Sequence, residues 1–151
     1  MKPKYARLKK ITCVTEPGNS FEQVKIVNSD DAATFARQFY ESDLCIYESM
    51  FLILMSKSHH TIAWAKISQG GVSGTVCDPK IVAKYAIDNL CSAVILVHNH
   101  PSGNLKPSEP DIAITHKVKR CLALFEITLV DHIILTEDSH YSFADNDRID
   151  S

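Results

Sequence analysis

The chain has no C-x-x-C pair. Its five cysteines, Cys13, Cys45, Cys77, Cys91 and Cys121, are an odd number spread widely along the sequence. That spacing excludes a disulfide framework and a cysteine-based second metal site, and it fits reduced, mostly buried thiols. An apolar leader and any run long enough to span a bilayer are also missing, so the expectation is a soluble, cytoplasmic protein with no membrane partner. Strong charge of either sign is absent. At a net charge of -2 there is no general pull toward a polyanion. Lys2, Lys4, Arg7, Lys9 and Lys10 make the first ten residues locally basic, which reads as a solvated terminus and leaves a nucleic-acid partner unsupported by charge. Glycine is sparse, and three of five fall in 69–78. With no G-x-x-x-x-G-K-[ST] there, that stretch is expected to be a flexible crossover passing over the site, not a phosphate cradle. A zinc deaminase needs H-x-E with P-C-x-x-C, and neither occurs.

What the chain does have is apolar content and a distinctive turn. Its 151 residues, 45% of them hydrophobic, are enough for one globular domain with its own core. The turn is His98-Asn99-His100-Pro101-Ser102-Gly103-Asn104-Leu105-Lys106-Pro107-Ser108-Glu109-Pro110-Asp111. It follows the β-branched run Ala93–Val97, which reads as a buried strand. Side chains alternate along a strand, so His98 and His100 share a face while Asn99 points away. Pro107 ends the extension, and Ser108 is placed to N-cap a helix from about Glu109, with Asp111 in its first turn. A carboxylate thereby returns toward two imidazoles. That donor mix suits zinc, one ion per chain, and three protein ligands leave a fourth tetrahedral position for water. Ser108 with Asp111 is also a plain capping box, and that reading explains two of the four residues while leaving the paired histidines unexplained.

His98, His100, Ser108 and Asp111 at this spacing resemble the JAMM (MPN-type) metalloprotease motif. The words VHNHPSGNLKPSEPDI, LVDHIIL and YSFAD resemble the RadC-like branch of that superfamily, in order and over residues from about 40 to the end. The resemblance implies a mixed, curled sheet with helices on both sides, a single-domain α/β fold of the MPN and cytidine-deaminase-like type. Residues 29–151 would form that metal-binding domain, and 1–28 an N-terminal pair of strands or an arm. It also implies a glutamate on an early strand upstream of the histidines, acting as general base. Glu48, in Tyr47-Glu48-Ser49-Met50, is the matching position, with Glu41 a competitor.

The remaining elements follow from pattern. Val24–Val27 and Ile11–Val14 lean toward β around a Pro17-Gly18-Asn19 turn. A first helix is expected over 30–41, and Met50–Met55 with Thr61–Ile67 as a hairpin. Asp78 and Pro79 start a second helix to about Leu90, with Ile81, Val82, Tyr85, Ala86 and Leu90 on one face. A third, over 109–125, would bury Ile112, Val118, Leu122 and Phe125, with His116 exposed. Ile127–Thr136 and Tyr141–Ala144 end the pattern. Asp131 and His132 interrupt the first of these two strands; being adjacent, they face opposite ways and cannot act as a dyad, but one of them could orient a metal-bound imidazole.

Three functions compete on these grounds. The first is a zinc-dependent hydrolase of peptide or isopeptide bonds, with His98, His100 and Asp111 on the metal, Glu48 as base and then acid, and Ser108 donating to the developing oxyanion. With proline at position 110, Ser108 can cap only the Asp111 amide, so its hydroxyl is divided between capping and catalysis. The second is a DNA-repair-associated RadC-like protein. Against cleavage, the H-N-H tripeptide lacks the separated ββα constellation of the nucleases it spells, and a chain this short is expected to lack the helical DNA-binding module of longer RadC-like proteins. The third is a catalytically silent interaction module. The substrate-gripping loops carry no recognition motif, and exposed strand edges near the N-terminus make a homodimer an expectation.

Overall fold

The computed structural model describes residues 21–71 and 76–150. Ile11–Val14, the basic first ten residues and residues 72–75 of the glycine-rich crossover lie outside them. The elements are α1 (Ser29–Arg37), β1 (Ser49–Met55), β2 (Thr61–Gln69), α2 (Pro79–Asp88), β3 (Ala93–Asn99), α3 (Glu109–Ala123), β4 (Thr128–Leu135) and β5 (His140–Ser142). They build one five-stranded mixed sheet in the order β2-β1-β3-β4-β5. β1 runs antiparallel to both β2 and β3, β3 and β4 are parallel, and β5 returns antiparallel to β4. The fold is α/β, as expected.

The sheet is covered on both faces, which is why its two central strands are apolar runs without alternation. Every residue of β1 and of β3 is buried. Met50, Leu52, Leu54, Val94 and Leu96 face a core closed by Val82 and Ala86 of α2 and Val118 and Leu122 of α3. Phe51, Ile53, Ile95 and Val97 face the opposite core, closed by Ala32, Phe35 and Ala36 of α1. Phe39, just past α1, stacks on Trp64 with ring centroids 4.8 Å apart and rings 13° from parallel. In the described part of the N-terminal stretch expected to be β, residues 21–28, Lys25 makes an isolated bridge to His60 and Ile26 is buried against the α1 side.

Three boundaries differ from the sequence expectation, each for a local reason. α1 starts one residue earlier, capped by Asn28 through the Asp31 amide at 2.9 Å, and stops at Arg37. Arg37 donates to the carbonyls of Thr136, Glu137 and Ser139, so the helix end is tied to the β4–β5 turn. α2 buries a narrower stripe of Val82, Ala83 and Ala86, while Ile81 and Tyr85, about 100° around the helix, and Leu90 beyond its end stay exposed. α3 ends at Ala123; Phe125 is exposed, and Ile127 turns inward instead, its amide on the Leu122 carbonyl at 3.1 Å.

Asp131 and His132 do not interrupt β4; both are buried within it. The Asp131 carboxylate accepts from Ser142 Oγ (2.6 Å), the Ala144 amide (2.9 Å) and the His132 amide (2.7 Å). Burial still pushes its carboxyl up from the ordinary value, against those three bonds. Its work is to pin β5 and the turn after it onto β4. Replacing it with a leucine of similar bulk leaves the Ser142 hydroxyl and two amides unpaired, so Asp131→Leu should lower unfolding stability by about 2–3 kcal/mol. A shift in the urea midpoint equivalent to less than about 0.5 kcal/mol would refute that role.

Candidate metal centre

β3 delivers two imidazoles to one point. His98 is within the strand, and the His100 amide still donates to the Leu135 carbonyl at 2.8 Å, so the pleat persists and both rings leave the same face. The chain then turns through Pro101 and Ser102 until the Gly103 amide meets the His100 carbonyl at 3.0 Å. Gly103 has φ of 82°, a conformation in which any side chain is strained. The turn carries the Asn104 carbonyl to 2.6 Å from His100 Nδ1. A carbonyl can only accept, so Nδ1 holds the proton and Nε2 keeps its lone pair. That lone pair faces His98 Nε2 at 2.9 Å.

α3 supplies the carboxylate. Ser108 Oγ accepts from the Asp111 amide at 3.2 Å, and the Ser108 amide donates to Asp111 Oδ2 at 2.8 Å, a reciprocal capping box. The same carboxylate places Oδ1 3.2 Å from His98 Nε2 and Oδ2 3.3 Å from His100 Nε2. Capping and a turn toward the histidines were alternatives in the sequence; here one side chain caps α3 and faces both imidazoles. Burial favours the neutral acid, but the adjoining imidazoles of His100 and His98 and the bond from the Ser108 amide outweigh it and hold the Asp111 carboxyl far below the usual carboxylate range. At His100 burial works to lower the pKa, yet the nearby carboxylate of Asp111, the Asn104 carbonyl and the charge of Glu48 raise it.

Glu48 comes from the neighbouring strand's approach. Met50 of β1 pairs with His98, and the same register carried back two places sets Glu48 across from His100. Its backbone is held on the other side by Gly70 and Gly71, at 2.8 Å and 3.2 Å. Glu48 Oε1 stands 3.8 Å from both Nε2 atoms, farther than the oxygens of Asp111. One ligand atom from each of Glu48, His98, His100 and Asp111 lies within 4.8 Å of all the others, and such a group can hold a metal ion. Glu41 is exposed and outside the group; His116, partly exposed with its Nε2 3.3 Å from the Arg148 carbonyl, is outside it too.

Two parts of the site carried weak sequence signals or none. His132, entirely buried, sets its Nε2 2.7 Å from His98 Nδ1, and Thr115 Oγ1 lies 2.6 Å from His132 Nδ1. The sequence left open which of Asp131 and His132 could reach a ligand; the strand's alternation sends His132 there and Asp131 to the β5 side. Thr115 had no signal beyond its place four residues after Asp111.

Asn99, the residue between the histidines, faces the other way. Its Oδ1 accepts from the Ser49 amide at 2.8 Å, while Nδ2 donates to the carbonyls of Leu44 (2.6 Å) and Tyr47 (2.7 Å). Glu48 sits inside that clamp. Asn99→Asp would set a carboxylate oxygen against two carbonyls in a fully buried site, at a cost of about 3 kcal/mol or more. Urea unfolding measures it, and a loss under about 1 kcal/mol would show that the clamp does not hold the Glu48 segment.

Comparison with known proteins gives a consistent picture. Residues 26–148 match the sequence model of a family described as the RadC-like JAB domain. A UPF0758 protein of Flavobacterium johnsoniae is 36% identical over 121 residues, which are 80% of this chain and 52% of that protein. One from Porphyromonas gingivalis is 41% identical over 99 residues, 65% of this chain and 44% of its own length. A third, from Coprothermobacter proteolyticus, is 34% identical over 125 residues, 82% and 53% respectively. The chain spans about half the length of these curated relatives.

Proposed function

The chain belongs to the RadC-like JAB domain family, and from that premise we propose that it is a zinc-dependent hydrolase of peptide or isopeptide bonds. The observation that carries the reading is the convergence of His98 Nε2, His100 Nε2 and the Asp111 carboxylate at 2.9 Å, 3.2 Å and 3.3 Å, with Glu48 standing back at 3.8 Å. Zinc bonds to nitrogen and oxygen of about 2.0–2.1 Å require tetrahedral edges of about 3.3 Å, so the three inner groups fit as ligands and Glu48 as an outer group. Two imidazoles and a carboxylate are also the donor mix zinc favours, and three protein ligands leave a position open.

When bound, the ion supplies a Lewis acid that polarises the scissile carbonyl and acidifies a water. The protein supplies proton transfer and orientation. Glu48 would accept a proton from the water whose oxygen adds to the carbonyl carbon and return it to the amine nitrogen as the C–N bond breaks. Ser108 serves the carbonyl oxygen as negative charge builds there. Capping the Asp111 amide uses a lone pair of the Ser108 hydroxyl and leaves its proton free to donate, so the two roles need not compete. The substrate is a peptide or protein amide, the class whose cleavage needs the proton transfers that the largely buried Glu48 carboxylate can make. Location in the cytoplasm accords with the unpaired cysteines, and no helix among the described residues is long and apolar enough to cross a membrane.

Protein purified without chelator or affinity metal should carry about one zinc per chain by elemental analysis, and His100→Ala should lose it. A wild-type chain that takes up none, even with zinc added, would sink the hydrolase reading. Glu48→Gln should keep the zinc while lowering the rate on a panel of peptides and lysine-ε-linked isopeptides by about 10²–10⁴-fold. Loss of zinc in that variant would instead make Glu48 a ligand.

A further inference from the structure

Behind the ligands, on the side away from solvent, runs a file of hydrogen-bonding groups that the proposed chemistry does not use. Thr115 Oγ1 lies 2.6 Å from the backbone carbonyl of Asp111, four residues before it on α3. Two oxygens this close hold a proton between them, and the carbonyl has none to give, so the Thr115 hydroxyl donates. A hydroxyl has one proton. Its contact with His132 Nδ1, also 2.6 Å, must then be one that Thr115 accepts, and His132 carries its proton on Nδ1. His132 is wholly buried with no carboxylate bonded to it, so its ring is neutral; with the proton on Nδ1, Nε2 is a lone pair, and His98 Nδ1, 2.7 Å away, donates to it. The proton of His98 is thereby placed on Nδ1, and Nε2 is left bare.

We infer that Thr115 and His132 form a relay that holds His98 as its Nδ1–H tautomer and so presents the Nε2 lone pair to the metal position. The relay rests on the metal-centre reading for its purpose, though not for its geometry. Its members are positioning residues, since neither belongs to the group of Glu48, His98, His100 and Asp111 and they act through the far side of His98. It runs from β3 through β4 to α3 and ends on the carbonyl of Asp111, itself one of the converging residues, so one bonded circuit ties together the three elements that carry the site.

Two further features keep the circuit in one state. His98, Thr115 and His132 are each 0% exposed, so water has no access to offer a competing partner. Phe143 lies flat on the His132 ring, with centroids 4.7 Å apart and planes 12° from parallel, and resists a ring flip that would exchange the two nitrogens. His100 reaches the same tautomer by the simpler device of the Asn104 carbonyl. The two histidines thus arrive with lone pairs facing each other at 2.9 Å beside a carboxylate, an all-acceptor arrangement that a cation satisfies.

The test uses the full chain and two readouts independent of catalysis. In metal-free wild-type protein labelled with ¹⁵N-histidine, long-range ¹H–¹⁵N spectra should show His98 as the Nδ1–H tautomer, assigned by its absence in His98→Gln. Zinc ion is then titrated against a competing chelating dye. Thr115→Val keeps the shape but removes the acceptor for His132, freeing that ring to move its proton to Nε2 and force the proton of His98 onto the metal-facing nitrogen. Zinc affinity should fall about 10–100-fold with a change in the His98 tautomer, and Thr115→Ser, which restores the hydroxyl, should recover both. A wild-type His98 protonated on Nε2 would overturn the relay, as would a Thr115→Val protein that only unfolds more easily while tautomer and affinity stay unchanged. If Thr115→Val does not fold, the wild-type spectrum and Thr115→Ser still decide. A wild-type chain that shows the Nδ1–H tautomer but takes up no zinc would sink the metal-centre reading and support the relay.

Discussion

β1 and β3 are buried at every position, and neither can slip by one residue against the other without turning its side chains into the wrong helical layer. Met50, Leu52 and Leu54 would exchange places with Phe51, Ile53 and Met55, and two cores shaped for different helices would both fail. A slip of two would preserve the faces but carry Glu48 about 7 Å along the strand, out of reach of the histidines. The register therefore positions the candidate base. Asn99 reinforces it at the one end where the ladder runs out, bonding the Ser49 amide just after Glu48 and the carbonyls of Leu44 and Tyr47 before it.

The site's electrostatics follow from that placement. Lone pairs and carboxylates crowd a pocket where His98 is wholly buried and the Glu48, His100 and Asp111 side chains are nearly so. Water cannot screen them well there, and each group is tolerable because something else bonds its far side. For Asp111 that partner is the Ser108 amide, for His100 the Asn104 carbonyl, for His98 the ring of His132. The cap of α3 thus belongs to the helix and to the site at once. The Pro101–Gly103 turn likewise both ends the strand and returns the carbonyl that sets the state of His100.

The opposite edge of the fold shows the same economy. Asp131, next in sequence to His132, faces the other layer and spends its carboxylate on Ser142 and the Ala144 amide, fastening β5 where Phe143 can lie on the His132 ring. Arg37 fastens the turn between β4 and β5 to α1. Anchors far from the cluster in sequence therefore bear on the angle of a ring that the ligands lean against.

The sequence by itself determined what short-range geometry controls. Alternation along a strand puts His98 and His100 on one face, and an N-cap serine with an acid three residues on returns Asp111 toward them, because pleat and helical turn are properties of neighbouring residues. The two-sided apolar runs announced a covered sheet for the same reason. Helix ends were less legible, since the inward turn of Ile127 and the exposure of Tyr85 and Leu90 depend on what lies opposite. Only the tertiary structure decided which glutamate joins the cluster, which of Asp131 and His132 stands behind it, and that Thr115 and Asn99 take part at all. Those contacts bridge 17 to 55 residues of chain, and nothing local encodes them. They follow from strand register and helix packing, which the two buried cores choose together.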